Sequence, residues 1–184
     1  NIKNVELILL TNGTLLKGKT LERLQEFDKA RLKIQISLDG SKPEINDHVR
    51  GEGSFSRIVE GIKSIVKIGY LPTVTTVVTN NNIEDIPETT KLIAKLGVKT
   101  HHLLWVHKRG GVSDNGHDFF PSINKVIEVT RAVKRIAQKH GISVDNLDAY
   151  KFRANSMRGT RYDLGNACYD SLCVYSDGEV YPSA

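Results

Sequence analysis

Residues 31–40 read Arg-Leu-Lys-Ile-Gln-Ile-Ser-Leu-Asp-Gly, with an apolar side chain at every second position up to Leu38. This alternation is typical of a β-strand that buries one face. The strand ends at Asp39-Gly40, residue types that favour a turn. An apolar run from Val5 to Thr11 ends in the same way, at Asn12-Gly13, and its unbroken apolar character predicts a strand buried on both faces.

Helical patterns alternate with strand patterns over the first 141 residues. Strands are predicted over residues 5–11, 31–38, 72–79 and 98–106. Helices are predicted behind Thr20, Ser54 and Asp85 as N-caps, with Leu21, Leu24 and Phe27 on the inner face of the first, and a fourth covers residues 121–140. Such β-α alternation predicts a parallel sheet or the wall of a βα barrel.

The pattern changes after Gly141. A short strand is predicted over residues 142–144, a helix near residues 147–157, and a hairpin around Ser176-Asp177-Gly178. We therefore divide the chain into a partial barrel, residues 1–141, and a C-terminal extension, residues 142–184. The chain begins without an initiator Met and stops inside the hairpin pattern, so we expect it to be a piece of a longer protein.

Composition narrows the class of protein. No apolar run approaches the roughly 20 residues that cross a bilayer, and two cysteines give no disulfide framework, so we expect a soluble cytoplasmic protein without a membrane partner. The net charge of +5 comes from Lys and Arg interleaved with Asp and Glu, which argues against a nucleic-acid partner.

Polar residues follow all four predicted strands, and in parallel sheets ligands bind at these carboxyl ends. The same residues are also common as simple turn formers. Arg50 and the glycines before Ser54 precede a predicted helix N-terminus. This combination is typical of a site that binds an anionic group, and an ordinary glycine-rich loop with a surface arginine is the alternative. The four ends are Thr11-Asn12-Gly13, Ser37-Leu38-Asp39-Gly40, Thr79-Asn80-Asn81 and His107-Lys108-Arg109.

An ordered set of motifs resembles the later strands of the radical S-adenosylmethionine (radical SAM) barrel in enzymes with a SPASM extension. These enzymes include peptide-modifying maturases, cofactor-peptide maturases such as those of pyrroloquinoline quinone synthesis, and anaerobic sulfatase maturases. The resemblance implies an α/β fold, a partial barrel truncated to about four βα units, and the start of a small C-terminal extension. It rests on Leu9-Leu10-Thr11-Asn12-Gly13, Ile36-Ser37-Leu38-Asp39-Gly40, Asn46-Asp47-His48-Val49-Arg50-Gly51-Glu52-Gly53-Ser54-Phe55 and Val77-Val78-Thr79.

The resemblance also implies site residues for the cofactor. Thr11 and Asn12 would lie near the methionine part of S-adenosylmethionine, Ser37 and Asp39 near the ribose or the carboxylate, Arg50 near that carboxylate, and Val78 and Leu104 beside the adenine. One departure is Asn46, where the family usually has His, and we interpret it as a structural change in a loop.

The two cysteines are the candidate metal ligands. Cys168 and Gly178 match the start of the auxiliary-cluster pattern of a SPASM segment, but Ser183 stands where the next cysteine is expected. Serine is a poor substitute for a soft thiolate. Cys173 could take its place, and two structural or free thiols are the alternative.

By this resemblance, the parent protein reductively cleaves S-adenosylmethionine with a [4Fe-4S] cluster and abstracts hydrogen from a peptide or protein substrate. The cluster-binding C-x3-C-x2-C loop of the family is missing from the sequence, so we expect this chain alone to be inactive. The alternative is a non-enzymatic module that binds a nucleotide-like ligand or a peptide. Open sheet edges would also favour self-association.

Overall fold

The computed structural model describes residues 6–106, 119–144, 173–174 and 177–181. Within these residues the main sheet has five parallel strands, which lie side by side in chain order. The predicted α/β architecture is confirmed. The strands are β1 (Leu7–Thr11), β2 (Leu32–Ser37), β3 (Thr73–Val78), β4 (Thr100–Trp105) and β5 (Ser143–Val144).

Helices connect the strands. They are α1 (Lys19–Gln25), α2 (Pro43–Arg50), α3 (Ser54–Lys67), α4 (Ile86–Lys95) and α5 (Ile123–His140), and a 3-10 turn over Ile83–Asp85 precedes α4. The three longest predicted helices are confirmed as α3, α4 and α5, and Asp85 is the N-cap residue of α4 as predicted. The first predicted helix differs, because Gly18 and not Thr20 is its N-cap and Phe27 lies beyond its end, 48% exposed.

Helix α2 lies in a stretch that the sequence analysis treated as irregular. Its buried residue is Asn46, and Ile45 and Val49 alone recur at helical spacing, which is too short a pattern to predict a helix. Pro43 at its start was a usable signal, because proline is favoured in the first turn of a helix.

The core lies between one face of the sheet and the helices. Side chains on this face of β2 to β4 pack with the apolar sides of α3, α4 and α5 in one buried cluster. The alternating apolar residues of β2 therefore lie on its buried face, as the sequence predicts. Members of the cluster include Leu32, Ile34, Ile36, Val74, Val78, Leu103, Ile58, Ile62, Ile65, Ile86, Ile93 and Val133.

Strand β1 is not buried on both faces, so this prediction is wrong. Leu7 is 48% exposed, Ile8 61% and Leu10 68%. Among the described residues β1 is one of the two edge strands of the sheet and pairs with β2 alone, so fewer neighbours cover its side chains. Self-association through open sheet edges stays a prediction.

The chain divides into two compact units, residues 1–149 and 150–184. Strand β5, which the sequence analysis assigned to the C-terminal extension, pairs with β4 and so belongs to the main sheet. In the second unit, β6 (Cys173–Val174) and β7 (Val180–Tyr181) pair antiparallel, which confirms the hairpin. The helix predicted near residues 147–157 lies outside the described residues. Within them, none of the helices combines the length and apolarity needed to span a bilayer.

Candidate functional site

A cavity of about 290 Å³ lies at the carboxyl ends of β1, β2 and β3. Three of the polar strand ends predicted from the sequence therefore meet at one place. Helices α2 and α3 complete the wall with both apolar and polar side chains. The lining residues are Asn12, Thr14, Asp39, Val49, Arg50, Ser54, Ile58, Val77, Thr79 and Asn82.

Asp39 and Arg50 form an ion pair at this cavity. Oδ2 of Asp39 lies 2.8 Å from Nε of Arg50, and the Asp39 side chain is 3% exposed. The other carboxylate oxygen, Oδ1, accepts a hydrogen bond from the backbone N–H of Val77 at 2.8 Å. Both oxygens of Asp39 are thus engaged within the chain. The Arg50 side chain keeps 20% of its surface exposed and lines the cavity.

The side chain of Asn82 connects the ends of β2 and β3 through hydrogen bonds. Its Nδ2 donates to the backbone oxygens of Asp39 at 2.9 Å and Val77 at 2.8 Å. Its Oδ1 accepts from the backbone N–H of Thr79 at 2.9 Å. Thr79, Asn80 and Asn81 were predicted as a polar strand end, and Asn82 was not included. Three consecutive asparagines carry no signal that tells which of them is buried.

Asn46 is the second residue that the sequence analysis misjudged. It lies in α2 and not in a loop, and it is fully buried. Oδ1 accepts from the backbone N–H of Asp39 at 3.0 Å, and Nδ2 donates to Oγ of Ser54 at 2.9 Å and to Oδ1 of Asp47 at 3.0 Å. Asn46 therefore connects the end of β2 to the start of α3.

Asp47 closes the N-terminus of α3 from the neighbouring helix. Its carboxylate accepts from the backbone N–H groups of Gly53 at 2.8 Å and Phe55 at 2.7 Å, and from the Ser54 hydroxyl at 2.8 Å. Desolvation raises the pKa of Asp47, but hydrogen bonds from Asn46, Ser54, Phe55 and Gly53 outweigh it and lower the pKa to about 2. Ser54, the predicted N-cap, is instead the first residue of α3, after Gly53.

A buried histidine supports the sheet behind the cavity. The Thr76 hydroxyl donates to the backbone oxygen of Leu38 at 2.6 Å, and Nε2 of His101 lies 2.9 Å from the same hydroxyl oxygen. Nδ1 of the same ring lies 3.1 Å from the Thr90 hydroxyl oxygen. Burial, with a smaller effect of His102, lowers the pKa of His101 to about 3, so the ring is neutral.

Of the seven predicted cofactor residues, the structure brings Asn12, Asp39 and Arg50 to the cavity. Thr11 accepts a hydrogen bond from the backbone N–H of Gly13 at 3.1 Å and lies outside the lining. Ser37 lies two residues before Asp39 and is paired with Thr75 in the sheet. It is also outside the cavity lining.

The two apolar candidates beside the predicted adenine site do not line the cavity. Val78 is 2% exposed in the core, and its neighbour Val77 reaches the cavity instead. Leu104 pairs with Val77 across β3 and β4 and is 44% exposed. An error of one residue moves a strand side chain to the opposite face, which is why Val77 was missed.

The candidate metal ligands are not brought together in the described residues. Cys168 lies outside them, and Cys173 begins β6. Within the described parts of the chain, no group of three or more His, Cys, Asp or Glu side chains is placed to hold a metal ion.

Curated proteins of several functions align with the chain. It is 33% identical over 107 residues to the AdoMet-dependent heme synthase of Methanosarcina barkeri, 58% of this chain and 30% of that protein. A probable GTP 3',8-cyclase of Saccharolobus islandicus is 32% identical over 136 residues, 72% of this chain and 43% of that protein. The mycofactocin maturase of Mycolicibacterium smegmatis is 31% identical over 113 residues, 61% of this chain and 28% of that protein.

Solved structures share the fold. Streptococcus suis SuiB, bound to its precursor peptide SuiA, superposes with a TM-score of 0.71 at 16% identity, over 95% of this chain and 42% of SuiB. The chain thus spans less than half the length of each of these four proteins. The model of the radical SAM superfamily matches residues 1–93, half of the 184 residues, and the chain therefore belongs to the radical SAM superfamily.

Proposed function

We propose that this chain holds the organic part of S-adenosylmethionine in a radical SAM enzyme, and that the parent protein modifies a peptide or protein substrate. Membership of the superfamily supports the cofactor. The observation that carries the proposal is Arg50, held by Asp39 in a cavity at the strand ends. In solved structures of the same fold, SuiB and anSMEcpe are bound to S-adenosylmethionine.

The cavity suits an amino-acid ligand. A guanidinium pairs well with a carboxylate. Arg50 lines the cavity, and its ion pair with Asp39 already orients its guanidinium. Val49, Ile58 and Val77 give the same cavity an apolar side for the rest of the ligand. Since Asp39 uses both oxygens within the chain, we propose that it orients Arg50, and that Arg50 contacts the ligand carboxylate.

The iron-sulfur cluster of the superfamily does not fit the residues of this chain. The C-x3-C-x2-C loop needs three cysteines, and the sequence has two, Cys168 and Cys173. Within the described residues no cluster of metal-binding side chains replaces them. We propose that the rest of the parent protein supplies the [4Fe-4S] cluster, and that this chain alone is inactive.

The chemistry comes from the cofactor. Bound S-adenosylmethionine would supply the radical chemistry for hydrogen abstraction, and Arg50 would hold its carboxylate. The chain's own residues would bind and orient the methionine part. Asp39 would orient Arg50 through their ion pair, and Asn82 would hold the ends of β2 and β3 together through its hydrogen bonds.

A peptide or protein substrate is supported by the kind of relatives found. SuiB is bound to a precursor peptide, and the mycofactocin relative is named a maturase. Other relatives are named for heme synthesis and GTP cyclisation, so the substrate is not fixed by sequence identity. We propose a maturase of the SPASM type, located in the reducing cytoplasm where an iron-sulfur cluster is protected.

The experiment is calorimetric binding of S-adenosylmethionine to the parent protein with its cluster reconstituted. Arg50→Lys keeps a positive charge but loses the planar fork, and should raise Kd about tenfold or more. Arg57→Lys is the matched control, because Arg57 is exposed and bonds to the backbone oxygen of Glu52. It should leave Kd unchanged.

A second ligand sharpens the test. Decarboxylated S-adenosylmethionine lacks the carboxylate, so its Kd should be the same for the unsubstituted protein and for Arg50→Lys. If the protein binds neither ligand, the proposed function is wrong. If it binds S-adenosylmethionine but releases no deoxyadenosine under reducing conditions, the non-enzymatic binding module is favoured instead.

A further inference from the structure

Asp47 joins helices α2 and α3, one helical turn before Arg50. Three groups at the start of α3 donate to its carboxylate, the backbone N–H groups of Gly53 and Phe55 and the hydroxyl of Ser54. The backbone oxygen of Asp47 also accepts from the N–H of Gly51, which follows Arg50. The residue therefore holds the chain on both sides of the turn that begins at Arg50.

Hydrogen bonds hold this glycine-containing turn in one conformation. Gly51 and Gly53 have φ angles of 89° and 70°, values that favour glycine, and Ser54 N–H donates to the backbone oxygen of Gly51 at 3.2 Å. Two glycines give the backbone a wide choice of conformations when nothing holds it. The hydrogen bonds onto Asp47 select one of them.

The Asp47 carboxylate is also linked, through Asn46, to Asp39, the ion-pair partner of Arg50. Asn46 donates to Oδ1 of Asp47 and accepts from the backbone N–H of Asp39, whose Oδ2 lies 2.8 Å from Nε of Arg50. Arg50 is thus fixed at two points, its backbone through Asp47 and its guanidinium through Asp39. Asn46 makes these two points parts of one hydrogen-bonded network.

We infer that Asp47 is a positioning residue, whose carboxylate sets the α2–α3 turn so that the Arg50 guanidinium stays on Asp39 and faces the cavity. Asp47 is not among the residues that line the cavity, so it acts through Arg50 and does not touch a ligand. The inference rests on the proposed function only for the identity of the anion that Arg50 receives.

The chain contains a matched control for the structural part of this role. Asp85 is also a carboxylate at a helix N-terminus, and it accepts from the backbone N–H and hydroxyl of Ser41, each at 2.6 Å, and from the Thr89 hydroxyl at 3.0 Å. It is outside the cavity lining and is not bonded to Arg50. Loss of either carboxylate should lower stability, but only Asp47 should affect Arg50.

The first experiment needs no ligand. Proton–nitrogen NMR of the full chain reports the exchange rate of the Arg50 Nε proton with solvent. In Asp47→Asn the amide places an NH2 group against the N–H of either Gly53 or Phe55, so the turn loosens and this exchange should be faster by about tenfold or more. In Asp85→Asn the rate should stay unchanged while the melting temperature falls.

A milder variant covers the case in which Asp47→Asn does not fold. Ser54→Ala removes its hydrogen bond onto Asp47 and the one it accepts from Asn46 but leaves the two backbone bonds onto Asp47, so it should change the Arg50 exchange rate in the same direction by a smaller factor. An unchanged Arg50 exchange rate in a folded Asp47→Asn or Ser54→Ala variant, or an equal increase in Asp85→Asn, would overturn the inference.

The second experiment connects the inference to binding. In the parent protein, Asp47→Asn should raise the Kd of S-adenosylmethionine without changing that of the decarboxylated analogue, and Asp85→Asn should change neither. If the NMR result holds but S-adenosylmethionine does not bind the unsubstituted protein, the proposed ligand is wrong and the positioning role of Asp47 stands. If both Kd values rise equally, Asp47 supports the cavity as a whole and the positioning role is wrong.

Discussion

The ends of β1 and β2 have nearly the same local sequence and very different surroundings. Each is an apolar strand followed by a side-chain amide or carboxylate and a glycine, Asn12-Gly13 and Asp39-Gly40. Asp39 is 2% exposed, is hydrogen-bonded to the distant residues Val77 and Asn82, and forms an ion pair with Arg50. Asn12 is exposed and accepts hydrogen bonds from Thr14, within its own turn.

This difference shows that the location of a strand in the sheet decides the role of the residues at its end. Strand β2 lies between two neighbours, so its end is surrounded by β3, α2 and the residues after β3. Strand β1 has one neighbour among the described residues, and its apolar side chains are exposed. The end of β2 is therefore the buried side of the cavity, bonded to distant residues, and the end of β1 is its exposed side, bonded only within its own turn.

The largest expected effect tests the strands themselves. Ile36→Ala removes a fully buried side chain of β2 and should lower the free energy of unfolding by about 2–5 kcal/mol. Leu10→Ala in β1 removes a side chain that is 68% exposed and should cost less than about 1 kcal/mol. Urea denaturation measures both values. Equal losses would mean that β1 is buried in solution.

A smaller loss of stability is expected when the amide side chains that accept hydrogen bonds at the two strand ends are removed. Asn46→Ala leaves the buried N–H of Asp39 without its acceptor and should lower the free energy of unfolding by about 1–3 kcal/mol. Asn12→Ala exposes its turn to water, which replaces the lost bonds, and should change it by less than about 1 kcal/mol. Similar losses in thermal or urea denaturation would contradict the contrast between the two ends.

The third prediction concerns pH and the support behind β2. Burial lowers the pKa of His101 from its usual 6.5 to about 3. The unfolded chain therefore binds this proton before the folded chain does, and stability falls as pH falls from 6.5 towards 3. The contribution of His101 to the slope is about 1.4 kcal/mol per pH unit.

The pH prediction has its own control. His101→Gln keeps a polar side chain for Thr76 but has no titrating group, so the dependence of the free energy of unfolding on pH should become flatter over this range. An unchanged slope would mean that His101 takes up its proton in the folded state. The contribution of Asp47 to stability is lost lower, as pH falls from its usual pKa of 3.8 towards its folded pKa of about 2, so the slope above about pH 4 distinguishes His101 from Asp47.

Much of the fold was predictable because it depends on local patterns. Alternation in residues 32–38 and the apolar stripe of α3 specify their own secondary structure and buried faces, and both are confirmed. Helix α2 was not predictable from periodicity, because its single buried residue is an asparagine that packs through hydrogen bonds.

The site was predictable in part. Asn12, Asp39 and Arg50 were identified from polar strand ends and from the family motifs, and they meet at the cavity. Asn82 and Val77 were missed, since their roles depend on burial and on strand register. Whether the predicted residues bind S-adenosylmethionine stays a prediction.

By itself, the sequence determined the order of the strands and of the helices other than α2, the superfamily, and the chemistry available at each strand end. The reason is that turn residues, apolar spacing and motif order act over a few residues. Only the tertiary structure decided that Asp39 is bonded to Arg50, that Asn46 and Asp47 link that pair to α3, and that β1 lies exposed at an edge. These features depend on which distant residues become neighbours, and burial and hydrogen-bond satisfaction are properties of that arrangement.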